Sequence, residues 1–249
     1  MSFRVRLFLV WLAASLLVGV LVRPLEREVA RESDVQVLAG LSGNLGQGVS
    51  LAVLGGYRNV AANLVWIAMY GEWQYRRVNE VLEKMQLAVA LNPNSLYFWI
   101  DGARIIANDM PVWQVGDDEM ERLYDESDAE GVAIRLKQGR RALRFLDKAP
   151  AELEDRYEIP LERGTIYWQK LGDLENAIAQ FGEALEKSNS PYFVSRVYAE
   201  LLVENGRTLE AYEYLKKHYA TLPDDDHSAL KPLVAQRIAE IGAVLGRSD

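Results

Sequence analysis

Residues 158–191 read EIPLERGTIYWQKLGDLENAIAQFGEALEKSNSP, and the pattern of this stretch returns in residues 192–225. The matching positions are separated by 34 residues and pair as Trp168 with Leu202, Gly172 with Gly206, Ala177 with Ala211, and Phe181 with Leu215. A fixed period of this length is typical of stacked helix–turn–helix units. The stretch therefore predicts repeated pairs of antiparallel helices.

The spacing inside the first unit explains how two helices would pack. Large and small residues alternate at gaps of three, four and five, in the order Leu161, Thr165, Trp168, Gly172, Ala177, Phe181 and Ala184. Two helices approach closely only where one side of the contact lacks bulk, which Ala177 and Ala184 provide. Gly172-Asp173 suits the turn, because glycine ends one helix and aspartate caps the next.

These residues resemble the tetratricopeptide repeat family. The first unit carries nearly all of the family's large, small and aromatic places, although Thr165 replaces the usual glycine or alanine. The second unit keeps Ala199, Gly206 and Ala211, but has Ser195 and His218 where the family prefers a large residue and alanine. An ordinary helical hairpin is the alternative. The resemblance implies a helical solenoid that binds segments of other proteins.

Earlier parts of the chain fit the same period less well. Residues 62–95 form a degenerate unit, with Arg76 instead of the turn glycine and a closing Asn92-Pro93. Residues 96–157 then form one unit lengthened by 28 residues, as 62 minus 34 gives. Eight acids and one arginine lie within residues 117–130. Their spacing does not match a calcium loop, so we interpret them as a solvated acidic insertion.

The predicted fold is all-α: an N-terminal transmembrane helix, a TPR-like α-solenoid of about four helix pairs and a C-terminal capping helix. The predicted divisions are a membrane anchor (1–22), a charged helix and glycine-rich linker (23–56), helical repeats (57–225) with the acidic insertion near 108–130, and the cap (226–249). The last helix is expected near Ser228–Leu245, with Leu230 on its apolar face.

The N-terminal segment predicts attachment to a membrane. Leu7 to Val22 contain no charge, and Phe3 and Val5 extend this run to the length of a spanning helix. A cleaved signal peptide is the alternative, but no small-x-small cleavage site follows the run. We expect a single-pass protein of the inner (cytoplasmic) membrane, with the repeats on the extracytoplasmic side.

Composition narrows the classes of function. The chain has 249 residues, no cysteine and a net charge of −8, and the part after residue 34 carries −9. Phosphate backbones repel such a domain, so we expect no nucleic acid partner. The glycines of residues 40–56 lack the lysine of a phosphate loop. We interpret His218 as a packing residue and His227, which follows three aspartates, as a solvated residue, with a metal ligand as the alternative for His227. We therefore expect no catalytic residues, no metal and no cofactor.

One helix carries a row of basic residues. Lys137, Arg140, Arg144 and Lys148 share one face at spacings of three and four. A solvated face is the simpler interpretation. A docking site for an anionic partner is the alternative.

The leading functional hypothesis is a membrane-anchored adaptor or scaffold, not an enzyme, that binds protein partners and supports assembly of a cell-envelope complex. By resemblance, the first helix of each unit lines a concave groove. Carrying the spacing across gives the lining residues Asn63, Trp66, Tyr70, Tyr97, Ile100, Arg104, Asn108, Glu162, Ile166 and Gln169. The alternatives are an envelope hydrolase or lyase, with Glu162 or Asp101 as catalytic acid, and a structural component that self-associates into a homo-oligomer.

Overall fold

A computed structural model describes residues 56–247, and these residues contain helices and no strand. The prediction of an all-α fold is confirmed. The ten α-helices are α1 (Arg58–Gln74), α2 (Val78–Leu91), α3 (Leu96–Arg104), α4 (Met110–Val115), α5 (Ala129–Leu146), α6 (Glu158–Ile166), α7 (Leu174–Glu186), α8 (Tyr192–Glu204), α9 (Thr208–Thr221) and α10 (Lys231–Val244). Three 3₁₀ segments, Asp117–Leu123, Ala151–Leu153 and His227–Ala229, lie between them.

The predicted anchor (1–22) and all but the last residue of the linker (23–56) lie outside the described residues. Within residues 56–247, no helix has both the length and the apolar character that crossing a membrane requires.

The described chain divides into two compact units. The first contains the chain up to Gly71 together with Leu82–Asn92. In α1 the buried side chains are Ala61, Ala62, Val65, Trp66 and Met69. In contrast, the apolar residues Val60, Leu64 and Ile67 of the same helix are about half exposed or more. The buried face of α1 thus combines two alanines and a valine with a methionine and a tryptophan.

The second unit contains Glu72–Val81 and the chain from Pro93 onward. Its helices pack in chain order: α6 on α7, α7 on α8, α8 on α9, and α9 on α10. Helix α5 packs against both α3 and α6. The rings of Trp99 and Phe145 meet at 5.0 Å and form part of the contact between α3 and α5. Each helix therefore buries its apolar side against its neighbours along the chain.

Helices α3 and α6, which begin the repeat units 96–157 and 158–191, share an irregularity. After nine α-helical residues, α3 continues into a π-helical segment, Ile105–Asp109, and α6 continues into another, Tyr167–Leu171. We call them the first and second π segments. Their starting residues are 62 positions apart, the length predicted for the lengthened unit. Residues 105–115 are helical, so the expected insertion near 108–130 begins within a helical stretch.

The turn positions adopt the conformation that the sequence predicts. Gly172 (φ 65°) and Gly206 (φ 75°) lie in the left-handed region, where a side chain is unfavourable. Arg76, which stands in the glycine place of the degenerate unit, has φ 56°. After Gly172, the Asp173 carboxylate accepts a hydrogen bond from the Asn176 amide and caps α7.

The close approach between α6 and α7 occurs at Gly164. A Cβ atom there would lie 2.6 Å from the ring of Phe181, so only glycine fits without movement. The repeat pattern predicts the small residue at the position of Thr165, one residue later. The structure instead has the Thr165 hydroxyl donating to the Leu161 carbonyl at 2.8 Å. The small residue that the packing requires is present, but at the preceding position.

The acidic insertion is folded onto α5. Gly131 is buried, and a Cβ atom on it would lie 2.1 Å from the Arg122 carbonyl oxygen. Arg135 is also buried and donates to the carbonyls of Leu123 and Lys170 and to the carboxylate of Glu126. These bonds join the insertion to the second π segment. The expected solvated insertion is thus also bonded to the helices beside it, while most of its carboxylates are exposed.

The final helix covers α9 with Val234 and Ile241, as the pattern predicts. Leu230 is an exception, since it precedes α10 in the left-handed region (φ 49°) and its side chain is exposed. It lies outside the helix, and so it does not share the apolar face.

Candidate functional site

A cavity of about 310 Å³ opens in the second compact unit, beside α3 and α6. The first helix and its π segment contribute Arg104, Ala107 and Asn108. The remaining wall consists of Leu161, Glu162, Thr165, Ile166, Trp168, Gln169, Lys170, Phe181, Phe193 and Val197. We call it the polar cavity, because one ion pair and several amide and hydroxyl groups converge on it.

The ion pair joins the first helices of two successive units. The Arg104 Nε donates to Glu162 Oε2 at 2.8 Å. The Glu162 side chain is 7% exposed, whereas that of Arg104 is 59% exposed. Burial raises the pKa of the Glu162 carboxyl, and the charge and hydrogen bond of Arg104 oppose that rise without cancelling it. Arg104 thus holds a buried carboxylate in place while much of its guanidinium remains open to solvent.

The π segments supply residues on the cavity wall at equivalent places. A π turn inserts an extra residue into the helix, and such turns occur frequently at functional sites. Asn108 in the first π segment donates from its side chain to the Arg104 carbonyl at 3.0 Å. Gln169 and Lys170 belong to the second. Lys170 is buried, and its amine donates to the Tyr124 hydroxyl at 2.9 Å, which connects the cavity wall to the acidic insertion.

A second cavity of about 300 Å³ shares the walls Trp168 and Val197 with the first. Its floor is apolar and includes Leu215, Leu233 and Val234. Arg196, Glu200, Gln236, Arg237 and Glu240 complete its lining, and Arg237 is paired with Glu200 and Glu240. We call it the apolar cavity. The two cavities adjoin at the second π segment and α8, which supply Trp168 and Val197.

The structure brings together half of the predicted groove residues. Arg104, Asn108, Glu162, Ile166 and Gln169 all line the polar cavity. Tyr97 is exposed and Ile100 is half-buried on α3, and neither lines a cavity described here. Their proposed role in binding stays a prediction.

The other three predicted groove residues belong to α1. Asn63 and Tyr70 are exposed. Trp66 is 3% exposed and therefore packs in the interior instead of presenting its ring to solvent. The spacing taken from the repeat family does not predict the burial of Trp66, because it does not show that α1 buries the face that includes this tryptophan.

Several lining residues were missed by sequence reasoning. Phe193, Arg196, Val197 and Glu200 all lie on α8. Adding the period of 34 residues to Glu162 and Ile166 gives Arg196 and Glu200, so the same rule carried one unit further would have found two of them. Phe193 has no such signal, since its role depends on how α8 packs beside the second π segment.

The chemistry available at the site is limited to binding groups and one buried acid. Within the described residues, no cluster of three or more histidine, aspartate or glutamate side chains could hold a metal ion. His218 stacks on the Tyr214 ring at 6.1 Å, and burial lowers the pKa of its imidazole. Asp101 does not line either cavity.

No protein-family model matches this chain. Searches of curated protein sequences and of solved structures also find no match.

Proposed function

We propose that this chain is a membrane-anchored, TPR-like adaptor whose α-solenoid binds a segment of another protein and supports assembly of a cell-envelope complex. The single observation that carries the proposal is the pair of adjoining cavities that meet at the second π segment and α8. Their walls include residues of α3, α6 and α8, the first helices that the repeat pattern assigns to a concave groove. The predicted anchor of residues 1–22 would hold this groove at the membrane.

The shape and chemistry of the cavities fit a peptide segment. Each cavity of about 300 Å³ has room for one or two side chains, and the shared wall of Trp168 and Val197 separates two such places. The polar cavity offers the open guanidinium of Arg104 and the amides of Asn108 and Gln169. The apolar cavity accepts a hydrophobic anchor. Aromatic and arginine side chains in pockets are the residues that contribute most to binding energy.

Site-specific photocrosslinking in intact cells tests the adaptor. A photoreactive residue at Gln169 or Phe193, both on the wall of the polar cavity, should trap a protein partner. The matched control is Ala179, an exposed residue of α7 that lines neither of these cavities. Equal trapping at Ala179, or none at the two cavity positions, would reject the groove as the binding site.

Glu162 favours one second candidate, an envelope hydrolase or lyase. Its carboxyl is buried in a cavity, its pKa is raised, and general acids need both properties. Against this, it is the one carboxylate that lines the polar cavity. Glu162→Gln keeps the side-chain shape and removes the acid. Turnover of cell-wall glycans that Glu162→Gln abolishes would favour the enzyme, whereas unchanged crosslinking by that variant would favour the adaptor.

A further inference from the structure

Helix α5 and the residues just after it carry a row of cations that no carboxylate in the described part of the chain neutralises. Lys137, Arg140, Arg144 and Lys148 are exposed, and Arg141 is half-buried beside them. At 1.5 Å per residue the row is about 16 Å long. We call these five residues the α5 stripe.

The absence of partners sets the stripe apart. Within residues 56–247, none of its five side chains has a carboxylate within 4.0 Å. The nearby acids are committed elsewhere: Glu130 pairs with Arg122, and Asp147 lies 3.4 Å from Arg163. The other described arginines each have a hydrogen bond, ion pair or ring contact.

The cations also repel one another. Burial and the neighbouring charge of Arg144 lower the pKa of Arg141. Residues 137–148 hold five basic residues and one acid, so the rest of this chain of net charge −8 carries −12. Positive charge is thus concentrated on one helix face of an otherwise acidic protein, and a matching array of anions would relieve the repulsion.

The surface around the stripe favours a lipid membrane over a protein as that array. Protein interfaces depend on buried aromatic and aliphatic anchors, but no large hydrophobic side chain of α5 is exposed. A row of long, flexible cations without an apolar centre suits a plane of many separate negative charges. The sequence analysis also predicts that residues 1–22 tether the chain to a bilayer.

We propose that the α5 stripe rests on the anionic headgroups of a lipid surface. The contact would turn one side of an acidic domain toward the membrane and orient the second unit on it. The predicted anchor enters only because it would bring the α5 stripe close to a bilayer. The contact does not depend on what the two cavities bind.

The lack of cysteine in the chain makes a direct test practical. A single Ala133→Cys substitution in the full chain puts a fluorophore at an exposed position one turn before Lys137, on the same side of α5. Ala220→Cys, also exposed, provides a label on α9 as control. Each labelled protein is mixed with vesicles that contain a lipid-borne quencher and either phosphatidylcholine alone or 30% phosphatidylglycerol.

The expected result is quenching of the Ala133 label by anionic vesicles only, with loss of that quenching at 1 M salt, where the screening length falls to about 3 Å. If the N-terminal run inserts, both kinds of vesicle will bind the chain, yet only anionic ones will quench this label. If it does not insert, only anionic vesicles will bind. Failure of the anchor and failure of the stripe are therefore distinguishable.

Charge-matched variants complete the test. Neutralising Lys137, Arg140 and Arg144 to glutamine should reduce the apparent affinity of the stripe for anionic vesicles about 100-fold, since each charge contributes about fivefold. Neutralising Lys187, Lys217 and Arg247 removes the same net charge elsewhere and should have little effect. Equal loss in both variants, or quenching that ignores lipid charge, would overturn the proposal. A photocrosslinker at Arg140 that traps a protein while lipid has no effect would assign the stripe to a protein partner instead.

Discussion

The lengthened unit (96–157) and the compact unit (158–191) begin alike and then diverge. Each starts with nine α-helical residues and five π-helical residues. The compact unit then turns at Gly172 and Asp173 directly into α7, whereas the lengthened unit passes through α4 and the acidic insertion before it reaches α5. The comparison indicates that a longer connection between two helices is tolerated if its backbone polar groups and charges have bonding partners.

The two repeat units provide partners for these backbone groups and charges through different contacts. In the compact unit, one left-handed glycine and one aspartate cap complete the turn. In the lengthened unit, Arg122 bonds to Glu119, Asp128 and Glu130, and Asp128 caps α5 by accepting from the Gly131 amide. Buried Arg135 then ties the insertion to the second π segment. The longer connection therefore depends on tertiary contacts that the shorter one does not need.

The largest expected effect comes from replacing a glycine with alanine in the lengthened unit, compared with the same replacement in the compact unit. Gly131→Ala should lower the free energy of unfolding by about 3 kcal/mol, because its Cβ would meet the Arg122 backbone oxygen at 2.1 Å. Gly182→Ala, within α7, is the matched control, since its Cβ would meet nothing closer than 3.7 Å. That variant should gain about 0.5 kcal/mol from helix propensity. Urea unfolding followed by circular dichroism measures both, and equal effects would contradict the comparison.

A second test removes the brace of the longer connection. Arg135→Met keeps much of the side-chain length but leaves the buried carbonyls of Leu123 and Lys170 without this donor. We expect a loss of about 2 kcal/mol, as for other buried hydrogen-bond partners. Hydrogen exchange should accelerate in residues 117–128, while α7 keeps its protection. An unaltered exchange rate in that segment would show that Arg135 does not hold the insertion.

The smallest effect concerns the ion pair that joins the two units. Removing Arg104 leaves a buried carboxylate, whereas removing Glu162 leaves an arginine that is already largely exposed. Arg104→Met should therefore cost about 1–2 kcal/mol at pH 7, and Glu162→Gln should cost less than about 0.5 kcal/mol.

The pH dependence of the pair follows from the raised pKa of Glu162. When a folded-state carboxyl pKa lies above the unfolded value, the folded protein binds protons more readily, so the penalty grows as pH rises from the unfolded pKa of 4.5 through the folded one. The difference in unfolding free energy between Arg104→Met and wild type should thus be largest near pH 7 and shrink toward pH 4. A difference that grows on acidification would show that burial does not control this carboxyl.

The sequence by itself determined the helical class, the period of 34 residues, the turn at Gly172 and the cap at Asp173. These features depend on local chemistry: apolar spacing places residues on one helix face, and glycine alone adopts the left-handed region without strain. The same spacing predicted that Arg104 and Glu162 line one groove, although it could not reveal that they bond to each other.

Tertiary structure decided the π segments, the close approach at Gly164 and the two adjoining cavities. Both π segments pack against α5, which lies between them in the chain, and no local pattern encodes that packing. Likewise, Trp66 and Leu230 are both apolar, yet Trp66 on α1 is buried and Leu230, just before α10, is exposed, because burial depends on which neighbours a side chain meets. Local propensity sets where helices form, and long-range packing sets which of their side chains are available to a partner.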